Sequence, residues 1–239
     1  PPWMGLEIAG DIIEMGEIAK EKCNFKVGDK ICALLGGGGY AEYVAVKYDM
    51  LMPIPKGLSM VEASALPEAY ATSYLNLFIE GGAKPGDTLL LTGGNSGLAS
   101  VTIRMAKAFG LRVITTVRGA EKAAAIADLG ADRIVDTKVE DLAQVLQQEL
   151  DAGHGVDIAI DCLGGKDMGA CLHYLNRGAR WIMIATLAGD LTELNMRNVF
   201  VRNVRIIGST LRSRTPEVKA QILAGIVRDV YPKIEAGLV

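Results

Sequence analysis

At 239 residues the chain has room for one large domain or two small ones, and with 50% hydrophobic residues it can bury a sizeable core. A net charge of −3, sparse aromatics and the lack of any Lys/Arg block argue against nucleic acid as a partner. No apolar run reaches transmembrane length and no secretory signal is visible, which argues against a membrane partner. Cys23, Cys32, Cys162 and Cys171 lack the paired spacing of a disulfide framework or zinc knuckle, and read as reduced thiols of a cytoplasmic protein.

Pro1-Pro2-Trp3 is an unusual opening, and Ala236-Gly237-Leu238-Val239 stop without a capping element. The chain is therefore expected to be a fragment of a longer protein. Residues 5–54 read as β-structure. Leu6–Glu14 is an apolar run, and the turn Val27-Gly28-Asp29-Lys30 feeds Ile31–Leu35. The four glycines Gly36–Gly39 form a loop, and the alternation over Tyr40–Val46 predicts a strand. Pro53 and Pro55 mark a linker. Ser59-Met60-Val61-Glu62 has the spacing of a capping box and predicts a helix start. Pro67 should break or kink that helix, which resumes through Phe78 and ends at Gly81-Gly82.

From residue 88 the pattern is regular. Strands are expected near 88–92, 111–117, 133–136, 156–161, 180–185 and 204–210. Helices fall near 97–108, 120–129, 139–150, 167–175 and 192–200. This is the full set of an α/β doubly wound, parallel six-stranded Rossmann sheet. Thr215-Pro216 then opens another helix, with Thr as N-cap and Pro in the first turn.

The most informative stretch is Thr92-Gly93-Gly94-Asn95-Ser96-Gly97-Leu98-Ala99. It joins an apolar strand to a helical pattern. Strand, glycine turn and helix together hold a dinucleotide pyrophosphate, because the glycines admit the phosphates and the helix start offers free N–H groups. The second strand reports which dinucleotide. An acid at its end would bind the ribose 2′-hydroxyl of NAD, but this chain reads Val117-Arg118-Gly119-Ala120-Glu121-Lys122. Arg118 and Lys122 would neutralise a 2′-phosphate, so NADPH is the expected cofactor. The competing reading takes both as solvated charges beside a helix start.

Several segments together resemble the medium-chain dehydrogenase/reductase superfamily. They are Gly5-Leu6-Glu7-Ile8-Ala9-Gly10, Val27-Gly28-Asp29-Lys30-Ile31 and Leu129-Gly130-Ala131-Asp132. Three more resemble its quinone oxidoreductases, in particular the tumour-suppressor-inducible group related to zeta-crystallin. These are Leu66–Thr72, Asp161-Cys162-Leu163-Gly164-Gly165 and Gly208–Arg214. The resemblance implies a partial GroES-like catalytic β domain over 1–54 and an NADP-binding Rossmann domain over 55–214. It implies that the helix over 215–239 leads back toward the catalytic domain.

The zinc enzymes of this superfamily carry a His after the early glycine; here the residue is Leu6, which cannot ligate a metal. His154 and His173 are isolated, so no metal is expected. Without a metal to polarise a carbonyl, electron-poor acceptors are the natural substrates: a quinone, or alternatively an enone or alkenal. A third reading is a low-turnover NADPH-binding protein.

The resemblance places Gly93, Gly94, Asn95, Ser96, Gly97 and Leu98 along the pyrophosphate, and Thr72 near the nicotinamide. It places Leu163 and Gly164 by the nicotinamide ribose, with Thr186, Leu187 and Leu211–Arg214, including Arg212 and Arg214, beside the ring. Thr137 stands where relatives carry an aromatic near the adenine. The catalytic group is not assigned; Tyr43 and Tyr70 are candidates, though tyrosines in such settings more often pack. Cys162, without a His partner, reads as packing rather than as a nucleophile. Relatives pair through the edge strand 204–210, which predicts a homodimer.

Overall fold

The computed structural model describes residues 3–239; Pro1 and Pro2, part of the unusual opening, lie outside it. The chain divides into two compact units. The first runs to Tyr74 and takes up again from Thr210 to Val239; the second is Leu75–Ser209.

In the first unit, strand β1 (Glu7–Asp11) pairs antiparallel with β2 (Lys30–Leu34), Glu7 opposite Leu34 and Asp11 opposite Lys30. Strand β2 pairs antiparallel with β3 (Leu51–Pro53). Between β1 and β2 lies a short helix, α1 (Glu17–Lys22), that the sequence pattern does not announce. It buries no residue, so it carries no apolar periodicity to read. The strand predicted over Tyr40–Val46 does not form; the backbone there is irregular. Alternation alone cannot make a strand without a ladder, and Tyr40 and Tyr43 stand 80% and 74% exposed.

Ser59 caps α2 (Met60–Ala63) as the spacing predicts. Its Oγ accepts from the Glu62 amide at 3.2 Å, while Glu62 Oε2 accepts from the Ser59 amide at 2.8 Å. Pro67 then opens a separate helix, α3 (Pro67–Tyr74). Its first-turn amide at Glu68 would be an orphan, and Glu7 Oε2 on β1 accepts it at 2.8 Å. Burial pushes the Glu7 carboxyl up while this bond holds it down.

The second unit begins with a π-helical segment, Leu75–Glu80, which closes at Gly81 and Gly82. Then come β4 (Thr88–Leu91), α4 (Gly97–Ala108), β5 (Arg112–Val117), α5 (Ala120–Ala125), β6 (Arg133–Asp136) and α6 (Leu142–Asp151). The second half is β7 (Val156–Asp161), α7 (Lys166–Cys171), β8 (Leu175–Met183), α8 (Met196–Arg202) and β9 (Arg205–Gly208). The strands form one parallel sheet in the order β6-β5-β4-β7-β8-β9. Strand β4 is Thr-Leu-Leu-Leu, buried at every position, as a central parallel strand covered on both faces must be.

Strand β8 starts five residues earlier than the pattern 180–185 suggests. Its register with β7 jumps from Val156–Leu175 to Ile158–Arg180, and the irregularity holds Asn176-Arg177-Gly178, which reads as a turn in sequence. One core face joins Leu90, Ile114, Val135 and Trp181 to Val145, Leu146, Met168 and Leu172 from the helices. Burying each large apolar side chain contributes roughly 1.5–3 kcal/mol.

The chain then returns to the first unit with α9 (Pro216–Gly225), a π-helical segment (Ile226–Val230) and α10 (Tyr231–Glu235). Thr215 Oγ1 caps α9 by accepting from the Val218 amide, and Pro216 sits in its first turn. Tyr74 on α3 donates to Asp229 Oδ2 at 2.6 Å and meets Gly225, where any side chain would strike its ring. Burial and the Asp229 carboxylate push the Tyr74 hydroxyl up to about 12, so it stays a donor.

Candidate functional site

In the second unit the strand order reverses direction at β4, whose neighbours are β5 and β7. In open parallel sheets ligands bind in the crevice outside the carboxyl ends of the strands at such a point. The turn Gly93–Ser96 leaves β4 here. Gly93, at φ +72°, donates its amide to Thr116 Oγ1 at 3.2 Å, and Gly94 donates to the Thr116 carbonyl at 2.7 Å. A Cβ on Gly94 would collide with the Thr115 side chain, so the turn lies flat against β5. Thr115 and Thr116 are buried beside Val113, Ile114 and Val117 of β5; Thr115 donates to the Leu91 carbonyl at 2.9 Å. Their hydroxyls thus have partners and fix the turn.

Helix α4 then begins at the exposed Gly97. Ser96 Oγ accepts from the Ala99 amide at 3.2 Å, and the Ser96 carbonyl accepts from Ser100. The amides of Gly97 and Leu98 are the first two of the helix and have no intrahelical acceptor. A Cβ on Gly97 would meet nothing within 4 Å. This open, donor-rich turn fits a pyrophosphate.

The next turn follows β5. Arg118 and Lys122 are exposed, and neither side chain makes an ion pair or hydrogen bond among the described residues. Thr137 donates from Oγ1 to the Val117 carbonyl at 3.1 Å, which brings the ends of β5 and β6 together. A residue that sequence reasoning missed sits beside them: Asp136 Oδ1 accepts from the Gly119 amide at 2.6 Å and from the Lys138 amide at 3.0 Å. The signal was present, since β6 is the parallel neighbour of β5 and ends in Asp at the same sheet edge. Two backbone amides already occupy this carboxylate oxygen.

The loops after β7 and β8 run side by side. The Ala188 amide donates to the Leu163 carbonyl at 2.7 Å, and Gly165 to the Gly189 carbonyl at 2.8 Å. Gly164 takes φ +62°, and a Cβ there would strike the Gly189 carbonyl at 2.8 Å. Thr186 donates to Asp190 Oδ1 at 2.5 Å, and Leu187 is 80% exposed. Cys162 lies half-buried between Gly93 and Thr92, and burial pushes its thiol up, away from nucleophile behaviour.

The structure therefore gathers Gly93–Leu98, Arg118, Lys122, Thr137, Leu163, Gly164, Thr186 and Leu187 in one unit, at the carboxyl edge of one sheet. Thr72, Leu211, Arg212 and Arg214 belong to the first unit. There Thr72 is half-buried on α3, in hydrogen-bond contact with Glu68. Leu211 is buried, and Lys219 donates to the Arg212 carbonyl at 3.1 Å. Tyr70 is buried on α3, and Tyr43 is exposed. Among the described residues no three His, Cys, Asp or Glu side chains converge.

Residues 97–226, more than half of the chain, match the zinc-binding dehydrogenase family, and residues 1–56 match the alcohol dehydrogenase GroES-like domain. The chain is 30% identical over 207 residues to the quinone oxidoreductase-like protein 2 homolog of Nematostella vectensis, covering 85% of the chain and 55% of that protein. It is 29% identical over 226 residues to the quinone oxidoreductase of Mus musculus, covering 94% and 66%. The chain thus spans less than two thirds of the length of these relatives. Its fold matches a mycobacterial protein complexed with NADPH, at TM-score 0.82 and 24% identity over 98% of the chain and 72% of the other. It also matches the CurK enoyl reductase, at TM-score 0.80 and 22% identity over 99% and 69%. The chain belongs to the zinc-binding dehydrogenase family, within the medium-chain dehydrogenase/reductase superfamily.

Proposed function

We propose that the chain binds NADPH at the β4–α4 turn and serves the metal-independent reduction of quinones. The observation that carries this reading is the turn itself: Gly97 opens to free space and two amides at the head of a 12-residue helix lack intrahelical acceptors. The unpaired Arg118 and Lys122 at the end of β5 favour a 2′-phosphate over a bare ribose. Asp136 sits at the same edge with its Oδ1 accepting from the Gly119 and Lys138 amides, so Arg118 and Lys122 must outweigh its charge for a 2′-phosphate to bind.

In this reading Gly93–Leu98 hold the pyrophosphate, Thr137 borders the adenine, and Leu163, Gly164, Thr186 and Leu187 border the nicotinamide half. Thr72, Leu211, Arg212 and Arg214 stay proposed contacts on the family resemblance alone. The reduced nicotinamide supplies a hydride, which suits a quinone because such an acceptor needs no Lewis acid. The chain's own residues position the cofactor and exclude water.

An enone or alkenal double-bond reductase is the second reading, supported by the likeness to an enoyl reductase. Steady-state NADPH consumption with a benzoquinone and with an alkenal separates the two. Quinone turnover with little alkenal turnover is the expected result; the reverse favours the second reading. Tight NADPH binding with neither turnover would identify a cofactor-binding protein.

We also propose a homodimer through the 204–210 edge and a reducing, cytoplasmic setting. Strand β9 pairs only with β8 among the described residues, and Ile206 on it is exposed. All four cysteines are free. Light scattering on the wild type and on Ile206→Lys tests the pairing: a dimer that Lys dissociates is expected, and a wild-type monomer contradicts it.

A further inference from the structure

Asp161 ends β7 and is about as buried as a carboxylate can be, at 1% exposure. No Lys, Arg or His pairs with it among the described residues. A carboxylate in that position is costly unless hydrogen bonds replace its water. Four donors do so. Oδ1 accepts from Thr92 Oγ1 at 2.7 Å, from the Leu163 amide at 2.9 Å and from the Gly164 amide at 3.1 Å. Oδ2 accepts from Trp181 Nε1 on β8 at 3.1 Å.

These partners are not scattered. Thr92 is the last residue before Gly93, so its hydroxyl fixes the point where the glycine turn leaves β4. That hydroxyl also accepts the Cys162 amide at 3.0 Å, which ties the turn after β4 to the turn after β7 a second time. Leu163 and Gly164 are the two residues read as bordering the nicotinamide ribose. One carboxylate thus sets the spacing between the loop assigned to the pyrophosphate and the loop assigned to the ribose. Trp181, wholly buried beneath them, holds the carboxylate from the core side.

We propose that Asp161 is a positioning residue for the cofactor, acting through Thr92 and the Leu163 and Gly164 amides to hold both loops in the geometry that takes NADPH. This rests on the proposed NADPH binding. The charge matters as well as the shape. A carboxylate accepts from all four donors, whereas an amide in its place must turn its NH2 toward either Trp181 Nε1 or the three donors on the loop side. Asp161→Asn therefore keeps the volume and breaks the network at one known point.

The test titrates NADPH by nicotinamide fluorescence into wild type, Asp161→Asn, Trp181→Phe, the double variant, and Thr92→Val. Asp161→Asn is expected to weaken NADPH about tenfold to a hundredfold, the scale of a lost charged hydrogen bond. Its KM for NADPH should rise while kcat at saturating NADPH holds within about twofold, since the loss is uniform binding. Trp181→Phe should lower the melting temperature yet keep NADPH affinity within about threefold. In the double variant the opposing donor is gone, so most of the affinity should return. Thr92→Val should weaken NADPH about threefold to tenfold, and it serves if Asp161→Asn does not fold.

An Asp161→Asn that binds NADPH as tightly as wild type overturns the proposal, as does an unchanged Thr92→Val. A melting temperature that falls without any change in affinity assigns Asp161 a packing role only and also overturns it. A wild type that binds no NADPH defeats the cofactor reading first, and the proposal with it.

Discussion

The glycine loops that follow β2 and β4 contrast with each other. Gly36–Gly39 comes after β2 in the first unit. Two of its amides are spent on the chain's own backbone: Gly39 donates to the Gly5 carbonyl at 2.9 Å and Gly38 to the Met4 carbonyl at 3.0 Å. The packing is backbone against backbone, since a Cβ on Gly39 would lie 2.9 Å from the Glu7 carbonyl. The second loop, Gly93–Gly97, also spends its first amides internally, on β5. It then runs into α4, and its last glycine faces open space. Glycine count does not separate these loops; the element that each one leads into does. A helix aims its acceptor-free first amides together at one point beyond its head, and an irregular segment has no such common direction.

Substitutions at the glycines separate the two loops. The largest effect is expected for Gly94→Ala, whose methyl would collide with Thr115 and lie 3.1 Å from Ile126 Cδ1. Overpacking of this kind costs about 1–3 kcal/mol, read by denaturant melts, and by moving the turn it should also weaken NADPH. Gly39→Ala should cost about as much in stability, through the Glu7 carbonyl, while leaving NADPH affinity unchanged. If it weakened NADPH as strongly as Gly94→Ala, the two loops would not differ in function.

Gly97→Ala sharpens the contrast from the other side. Its methyl meets no protein atom, so stability should hold or rise by up to ~1 kcal/mol, while NADPH weakens about tenfold. The smallest effect is expected at Asp132, in the salt bridge with Lys107 at 2.8 Å. Burial raises its carboxyl, but the Lys107 ammonium and the Val113 amide outweigh this and hold it below its ordinary 3.8. A depressed carboxyl contributes stability above 3.8 and loses it as pH falls through the lower folded value. Asp132→Asn should therefore cost about 1 kcal/mol or less at neutral pH and flatten part of the acid loss in a pH series of melts.

The Rossmann half was legible because its cues are local and redundant. Strand runs and the turn Gly93–Gly97 each name an element without help from the rest, as the caps at Ser59 and Thr215 do in the first unit. The misses share a cause. Tyr40–Val46 alternates but finds no ladder, α1 has no buried face, and the start of β8 hides behind Asn176-Arg177-Gly178. In each, the local pattern does not report the long-range pairing, or the lack of it, that decides the element. At the site, Asp136 and Asp161 each also reach a loop of another strand, Gly119 after β5 and Thr92 after β4, and those contacts are what sequence order does not supply.

The central claim is that the carboxyl edge of β4 and β5 holds a 2′-phosphorylated dinucleotide. Parallel fluorescence titrations with NADPH and NADH, on wild type and on Arg118→Ala/Lys122→Ala, test it most directly. At least about tenfold preference for NADPH is expected in wild type, collapsing in the double variant with NADH affinity unchanged. Equal or tighter binding of NADH by the wild type would contradict it.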